Sequence, residues 1–201
     1  MNSPINIAIF ASGNGTNMQA ITDYFTSRPA SAITVSIVVS DNPEAYVLER
    51  SKKAGVPYEV LDKSERTDEQ RMLGLMSSYR IKYIVLAGYL RKVPLFLIKA
   101  YEGRILNIHP ALLPKFGGKG MYGHFVHEAV KTAGETKTGI TIHEVNEAYD
   151  RGRIIFQAET QVDPSRDTPE VIAEKVHLLE QKHFPGEIER WIISKEKERS
   201  E

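Results

Sequence analysis

The chain has 201 residues, 26 basic and 26 acidic side chains, 41% apolar residues, 14 Gly, 10 Pro and no Cys. That length suits one domain that folds without staples, and the missing Cys excludes a disulfide framework, a thiolate zinc site and a Cys nucleophile. Zero formal net charge, the lack of a long apolar run and the absence of a basic leader at Met1–Pro4 predict a globular, cytoplasmic protein with neither nucleic acid nor membrane as partner.

The first 107 residues alternate two textures. Ile5–Ala11, Ala32–Ser40, Lys82–Ala87 and Arg104–Ile108 are short, apolar and partly β-branched, and Tyr58–Leu61 is a weaker example. Near-continuous apolar runs of that length read as strands covered on both faces. Between them, Thr16–Thr26, a segment opened by Asn42-Pro43-Glu44 and closed by Lys52, Lys53 and Gly55, Thr67–Tyr79 and Pro94–Tyr101 read as helices. Asn42 is placed at the N-cap of its helix and Gly55 just past the C-terminus. After residue 110 the texture changes. Ala111–Tyr122 reads as a Gly-rich loop and His124–Ala133 as a helix. Gly139–Val145 and Arg153–Val162 read as strands joined through the polar stretch Asn146–Gly152. Asp167-Thr168-Pro169-Glu170 has capping-box spacing, Pro185 is expected to interrupt the helix it starts, and the polar tail Lys195–Glu201 to fray. The sum is an α/β fold with a mixed, mostly parallel open sheet and a Rossmann-like N-terminal half. It is read as one domain over 1–201, with a phosphate-binding half (1–107), a catalytic half (108–194) and a polar tail (195–201).

Three constellations carry chemistry. Ser12-Gly13-Asn14-Gly15-Thr16-Asn17 lies between the first strand and the first helix. Glycines there let several N–H groups converge at a helix N-terminus, a site for phosphate. The third Gly of the dinucleotide fingerprint is absent, Met18 standing in its place. A single phosphate monoester is therefore favoured over a dinucleotide, in which Asp41 would contact a ribose. Asn107-Ile108-His109 ends a strand, and alternation puts Asn107 and His109 on one face. A carboxamide donor beside an imidazole can stabilise an oxyanion and move protons. Asp150, in the turn between the two late strands, gains interest as a partner that favours the His109 imidazolium and fixes its orientation. His124 and His127 lack the spacing of a zinc motif, and no metal is expected. His177 and His183 read as helix-surface residues. Glu180 reads as a solvated charge by pattern, and Tyr24, Phe25, Trp191 and Ile192 as packing residues.

SGNGTNMQA (12–20), VLAGYLR (85–91), GRILNIHPALLPKF (103–116), HEVNEAYDRGRIIFQ (143–157) and DTPEVIAEKVHLLEQKHFP (167–185), in this order and spacing, resemble the phosphoribosylglycinamide formyltransferases, a folate-dependent family. The resemblance spans essentially the whole chain. It implies formyl transfer from 10-formyltetrahydrofolate to the amine of glycinamide ribonucleotide in purine biosynthesis, without a metal. By resemblance, Asn107, His109 and Asp150 match the catalytic trio, and Gly13, Asn14, Gly15, Thr16 and Asn17 match the phosphate turn. Glu180 matches the acid at the glycinamide end, which replaces its bland reading. Arg66 is the nearest counterpart of an arginine that some members place near the phosphate. Leu90, Arg91, Val93, Glu144, Val145, Asn146 and Asp150 match the folate edge. Lys115–His127 is longer than in shorter-loop members. Two relatives of the same core are disfavoured. The formyltetrahydrofolate deformylases carry an N-terminal regulatory domain and lack the phosphate turn. The methionyl-tRNA formyltransferases add a C-terminal RNA-binding domain.

Overall fold

The computed structural model describes residues 4–199. The expectations for Met1–Ser3 and for the last two residues of the tail lie outside them. In chain order the elements are β1 (Ile5–Phe10), α1 (Thr16–Thr26), β2 (Ile33–Ser40), α2 (Tyr46–Lys53), β3 (Tyr58–Val60), α3 (Lys63–Thr67) and α4 (Glu69–Ser78). They continue with β4 (Ile81–Leu86), α5 (Leu95–Ala100), β5 (Ile105–His109), α6 (His124–Thr132), β6 (Lys137–Glu144), β7 (Ile154–Gln161) and α7 (Pro169–Glu198).

One sheet runs in the order β3-β2-β1-β4-β5-β6-β7. β1 to β5 pair in parallel, and β6 and β7 join antiparallel. The apolar runs are continuous because both faces are covered. Ile7 and Ile9 point into a core shared with Met18, Ile21, Phe184 and Ile188, on α1 and α7. Their neighbours Ala8 and Phe10 point into a second core with Met72, Met76 and Leu97, on α4 and α5. The strand order reverses between β1 and β4, which opens a crevice at the carboxyl ends of these strands, the usual ligand position in open α/β sheets.

Several helix boundaries depart from the sequence reading. Asn42 does not cap α2. Its Oδ1 accepts from the Glu44 N–H at 3.0 Å in a local turn, and α2 starts at Tyr46 after Ala45. The expected single helix over Thr67–Tyr79 is broken at Asp68, whose extended backbone and carboxylate recap α4 through the Arg71 N–H. A short helix, α3, precedes it on a reciprocal cap between Asp62 and Glu65. The N-cap of α7 is Thr168, not Asp167, because the Asp167 carboxylate is taken by Lys175 and the Asp163 N–H.

Pro185 does not interrupt α7. It is buried beside Phe184 inside a continuous 30-residue helix. A proline there removes one backbone bond and strains the preceding turn, and burial of Phe184, Ile188, Trp191 and Ile192 along the same helix outweighs it. Nor do Lys195–Glu198 fray. The Lys195 ammonium reaches Glu144 at 2.9 Å, and Glu196 accepts from the Tyr83 hydroxyl at 2.8 Å. Among the described residues no helix is long and apolar enough to cross a membrane, and no group of three or more His, Asp or Glu is arranged to hold a metal.

Candidate active site

The carboxyl end of β5 delivers Asn107 and His109 to the same face, as strand alternation requires. Pairing with β6 sets Asn107 opposite His143 and His109 opposite Thr141. Thr141 is fully buried. Its hydroxyl donates to the Ala111 carbonyl at 2.7 Å and accepts from the Leu113 N–H at 2.9 Å, which ties the start of the Gly-rich loop to the sheet. The loop then closes over the site. His109 Nε2 donates to the Phe116 carbonyl at 2.8 Å, and the Gly118 N–H donates to Asp150 Oδ2 at 2.8 Å. A Cβ at Gly117 would sit 2.4 Å from Leu113 Cδ2 and 3.3 Å from Asp150 Cβ, so a side chain there would displace Leu113 and press on Asp150. Asp150 itself has φ 53°, a left-handed backbone that Asp tolerates better than most residues.

These contacts divide the roles differently from the sequence reading. Asp150 Oδ2 lies 3.8 Å from His109 Nδ1, an electrostatic contact and not a hydrogen bond. The Phe116 carbonyl, not Asp150, orients the ring. It holds a proton on Nε2, so the proton that His109 gains or loses is on Nδ1, facing Asp150. Burial lowers the His109 pKa below its ordinary value, and the Asp150 charge and the Phe116 carbonyl oppose that only in part. Asp150 therefore favours the imidazolium, as expected, but against a burial that disfavours it. The Asp150 carboxyl is held below its ordinary range. Burial would raise it, but the contact with the His143 ring and the Gly118 N–H outweigh burial.

His143 is the residue the sequence reading passed over. It is buried, with Nδ1 donating to the Glu144 carbonyl at 2.8 Å. That leaves Nε2 to accept from the Asn107 carboxamide at 3.0 Å, with Asp150 Oδ1 at 3.5 Å. It thereby orients Asn107. The only signal in the sequence is its place opposite Asn107 in a strand pair, which needs the register.

The turn after β1 is built as expected, with an added support. Gly15 has φ 78°, and a Cβ there would lie 2.5 Å from Val47 Cγ2, so both conformation and space demand glycine. The N-terminus of α2 docks on the turn, the Val47 N–H donating to the Gly13 carbonyl at 3.1 Å. Thr16 opens α1 and is half-buried. Asn17 Nδ2 donates to Glu180 Oε2 at 2.9 Å, which anchors the turn to α7. Glu180 is no solvated charge. It also accepts from His177 at 3.1 Å, and its charge acts on both His109 and His127. Glu180 is therefore tied to the turn, and its charge favours protonation of His109. Arg66 makes no hydrogen bond to the turn among the described residues. It lies beside Tyr89, with its Nε buried and unpartnered.

A cavity of ≈ 390 Å³ opens beside the trio. Asn107, His109, His143 and Asp150 form one wall, and Leu90, Arg91, Val93, Val145 and Asn146 contribute to the rest. Tyr122 and Tyr149 stand at its lining, Tyr149 under the Lys92 ammonium at 5.4 Å. Arg91 is fixed by Asp41, whose carboxylate also accepts from the Ser12 hydroxyl at 2.5 Å. Asp41 is thus occupied and is not available to a ribose. The Glu144 side chain departs from its expected folate role. It turns away from the cavity and accepts from Arg153, Trp191 and Lys195 at 2.8–2.9 Å.

The formyl transferase pattern matches residues 5–188. The chain belongs to the formyl transferase family. Within that family it is 36% identical over 189 residues to the phosphoribosylglycinamide formyltransferase of Bacillus subtilis, covering 92% of this chain and 93% of that one. It is 38% identical over 183 residues to the chloroplastic phosphoribosylglycinamide formyltransferase of Arabidopsis thaliana, covering 89% of this chain but 62% of that longer protein. The crystal structure of glycinamide ribonucleotide transformylase 1 from Geobacillus kaustophilus superposes with a TM-score of 0.83 at 35% identity, covering 93% of this chain and 98% of that one. In formyl transferase terms, the trio, the turn and the cavity edge fall on the matched segment, and so do His143, Phe116 and Asp41.

Proposed function

We propose that this protein transfers the formyl group of 10-formyltetrahydrofolate to the amine of glycinamide ribonucleotide in purine biosynthesis. The observation that carries the reading is the convergence of Asn107, His109 and Asp150 at one wall of a cavity, with Glu180 bonded to a phosphate-type turn. Nearly full-length likeness to a bacterial phosphoribosylglycinamide formyltransferase supports the choice of substrates. Gly13–Asn17 would hold the ribonucleotide phosphate and Glu180 its glycinamide end. The cavity edge at Leu90, Arg91, Val93, Val145 and Asn146 would hold the folate.

The substrate amine attacks the formyl carbon, and the carbonyl becomes an alkoxide in a tetrahedral intermediate. The Asn107 carboxamide donates to that oxygen. Each preorganised donor at such a site contributes a few kcal/mol. His109, protonated from solvent on Nδ1, presents that proton to the same oxygen and recovers it as the intermediate collapses, while the adjacent Asp150 carboxylate stabilises the imidazolium. The attacking nitrogen gives up a proton, the folate N10 receives one, and the bond between N10 and the formyl carbon breaks. Asp150 relays this proton through water.

The reading is tested by following 10-formyltetrahydrofolate consumption with and without glycinamide ribonucleotide. Consumption that requires the ribonucleotide is expected. Equal consumption without it would make the protein a deformylase and overturn the proposal.

A further inference from the structure

The turn after β1 offers a phosphate backbone N–H groups and a helix N-terminus, and its own residues carry no positive charge. One cation is built onto it. Arg50, in the last turn of α2, donates from Nε to the Asn14 carbonyl at 2.9 Å and from Nη2 to Asn14 Oδ1 at 2.9 Å. The side chain is half-buried, and its guanidinium carbon lies 5.0 Å from the Tyr46 ring centre. Nη1 carries no hydrogen bond among the described residues, and no other cation is bonded to this turn. The fork thus locks Asn14 at the point where the chain enters the left-handed Gly15, and it leaves one N–H edge and a full charge beside the turn. An independent sign that the turn awaits a ligand is Asn17. It is 8% exposed, and its Oδ1 is buried without a partner, an acceptor suited to a sugar hydroxyl.

We infer that Arg50 is the positioning residue and the phosphate-specifying cation of this turn, in place of Arg66. The inference rests on the ribonucleotide reading above and adds a residue to it. Arg50 acts through Asn14 on the shape of the turn and through its charge on the phosphate, far from the transferred group. It should therefore govern the KM for the ribonucleotide and leave kcat alone.

The test compares wild type, Arg50→Gln and Arg50→Lys in the full chain, with glycinamide ribonucleotide and with its dephosphorylated riboside. In Arg50→Gln the ribonucleotide KM is expected to rise about tenfold or more, the scale of one lost charge-assisted fork. Its kcat, the KM for the folate donor and the slow use of the riboside should stay within about twofold. Arg50→Lys should recover part of the loss, since charge returns without the fork. A thermal shift with inorganic phosphate as the probe, present in wild type and lost in Arg50→Gln, supplies a readout apart from turnover. An unchanged ribonucleotide KM, or an equal loss with the riboside, overturns the inference. No transfer to the ribonucleotide by wild type overturns the functional reading instead, and the phosphate shift still decides the role of Arg50.

Discussion

Replacing Asp150 by Asn removes a charge while keeping nearly the same volume and an acceptor for the Gly118 N–H. The carboxylate lies 3.8 Å from His109 Nδ1, with both side chains largely withdrawn from water at 5% and 13% exposure. At that separation and an effective dielectric of about 20, opposite charges attract by about 4 kcal/mol, a ceiling of about three pKa units. The sign follows from the groups present. Burial lowers the His109 pKa and Asp150 raises it, so in the variant burial acts with less opposition and the imidazolium becomes rarer at every pH. At pH 7 kcat should fall by ~10²–10³, because the acid form is needed as the oxyanion develops. The pH profile should shift as well, with activity of the variant rising as pH falls below the wild-type optimum. Steady-state transfer at saturating substrates, from about pH 5 to about pH 9, reads both effects. The ribonucleotide KM should change little, since Asp150 touches none of Gly13–Asn17. A kcat within about threefold of wild type, or a large loss with an unshifted profile, would refute the electrostatic coupling.

Asn107→Ala should lower kcat by about 10²–10³ through loss of the oxyanion donor, with both KM values near wild type in steady-state assays. Gly15→Ala forces a left-handed alanine at a cost of about 1–2 kcal/mol and drives a Cβ into Val47. Thermal denaturation should move down and the ribonucleotide KM up, and a variant matching wild type in both would contradict the account of the turn. Glu144→Gln should cost about 1–3 kcal/mol by weakening the clasp on Arg153, Trp191 and Lys195. Burial would raise the Glu144 pKa from 4.5, but those three donors outweigh burial and hold it lower. The clasp therefore stabilises the fold above that ordinary value and is lost as pH falls through the depressed one. Urea midpoints of wild type and Glu144→Gln should differ fully at neutral pH and converge in acid. A gap that does not narrow would count against the clasp.

The strands were legible because burial on both faces writes itself as continuous apolar runs, and Asn107 and His109 because Leu112-Leu113-Pro114 and a Gly-rich loop follow a pair that would otherwise read as packed strand-end residues. The association of Asp150 with them was raised as a carboxylate–imidazole pairing, and the resemblance then matched all three to the catalytic trio. No local pattern reveals that a residue 41 positions on folds back to within 3.8 Å of His109. What stayed hidden depends on the loop backbone. The Phe116 carbonyl that orients His109 and the Gly118 N–H that holds Asp150 have no side-chain signature. His143 was invisible without the β5–β6 register. Asn42-Pro43-Glu44 imitates a helix start, yet the Asn42 side chain is spent on its own turn. Glu144 sits in the folate-edge motif, but a tryptophan and a lysine from the end of α7 claim its carboxylate, and the same contact keeps the polar tail helical. Long-range partners decided His143 and Glu144, and a local turn decided Asn42.

The central claim is that the formyl carbon passes to an amine and not to water. A single-turnover reaction with 10-formyltetrahydrofolate labelled with ¹³C at the formyl carbon, followed by NMR in the presence of glycinamide ribonucleotide, tests it directly. The label should appear as the formamide of formylglycinamide ribonucleotide, in an amount equal to the tetrahydrofolate released. Label recovered as free formate, or retained on the folate by folded protein, would contradict it.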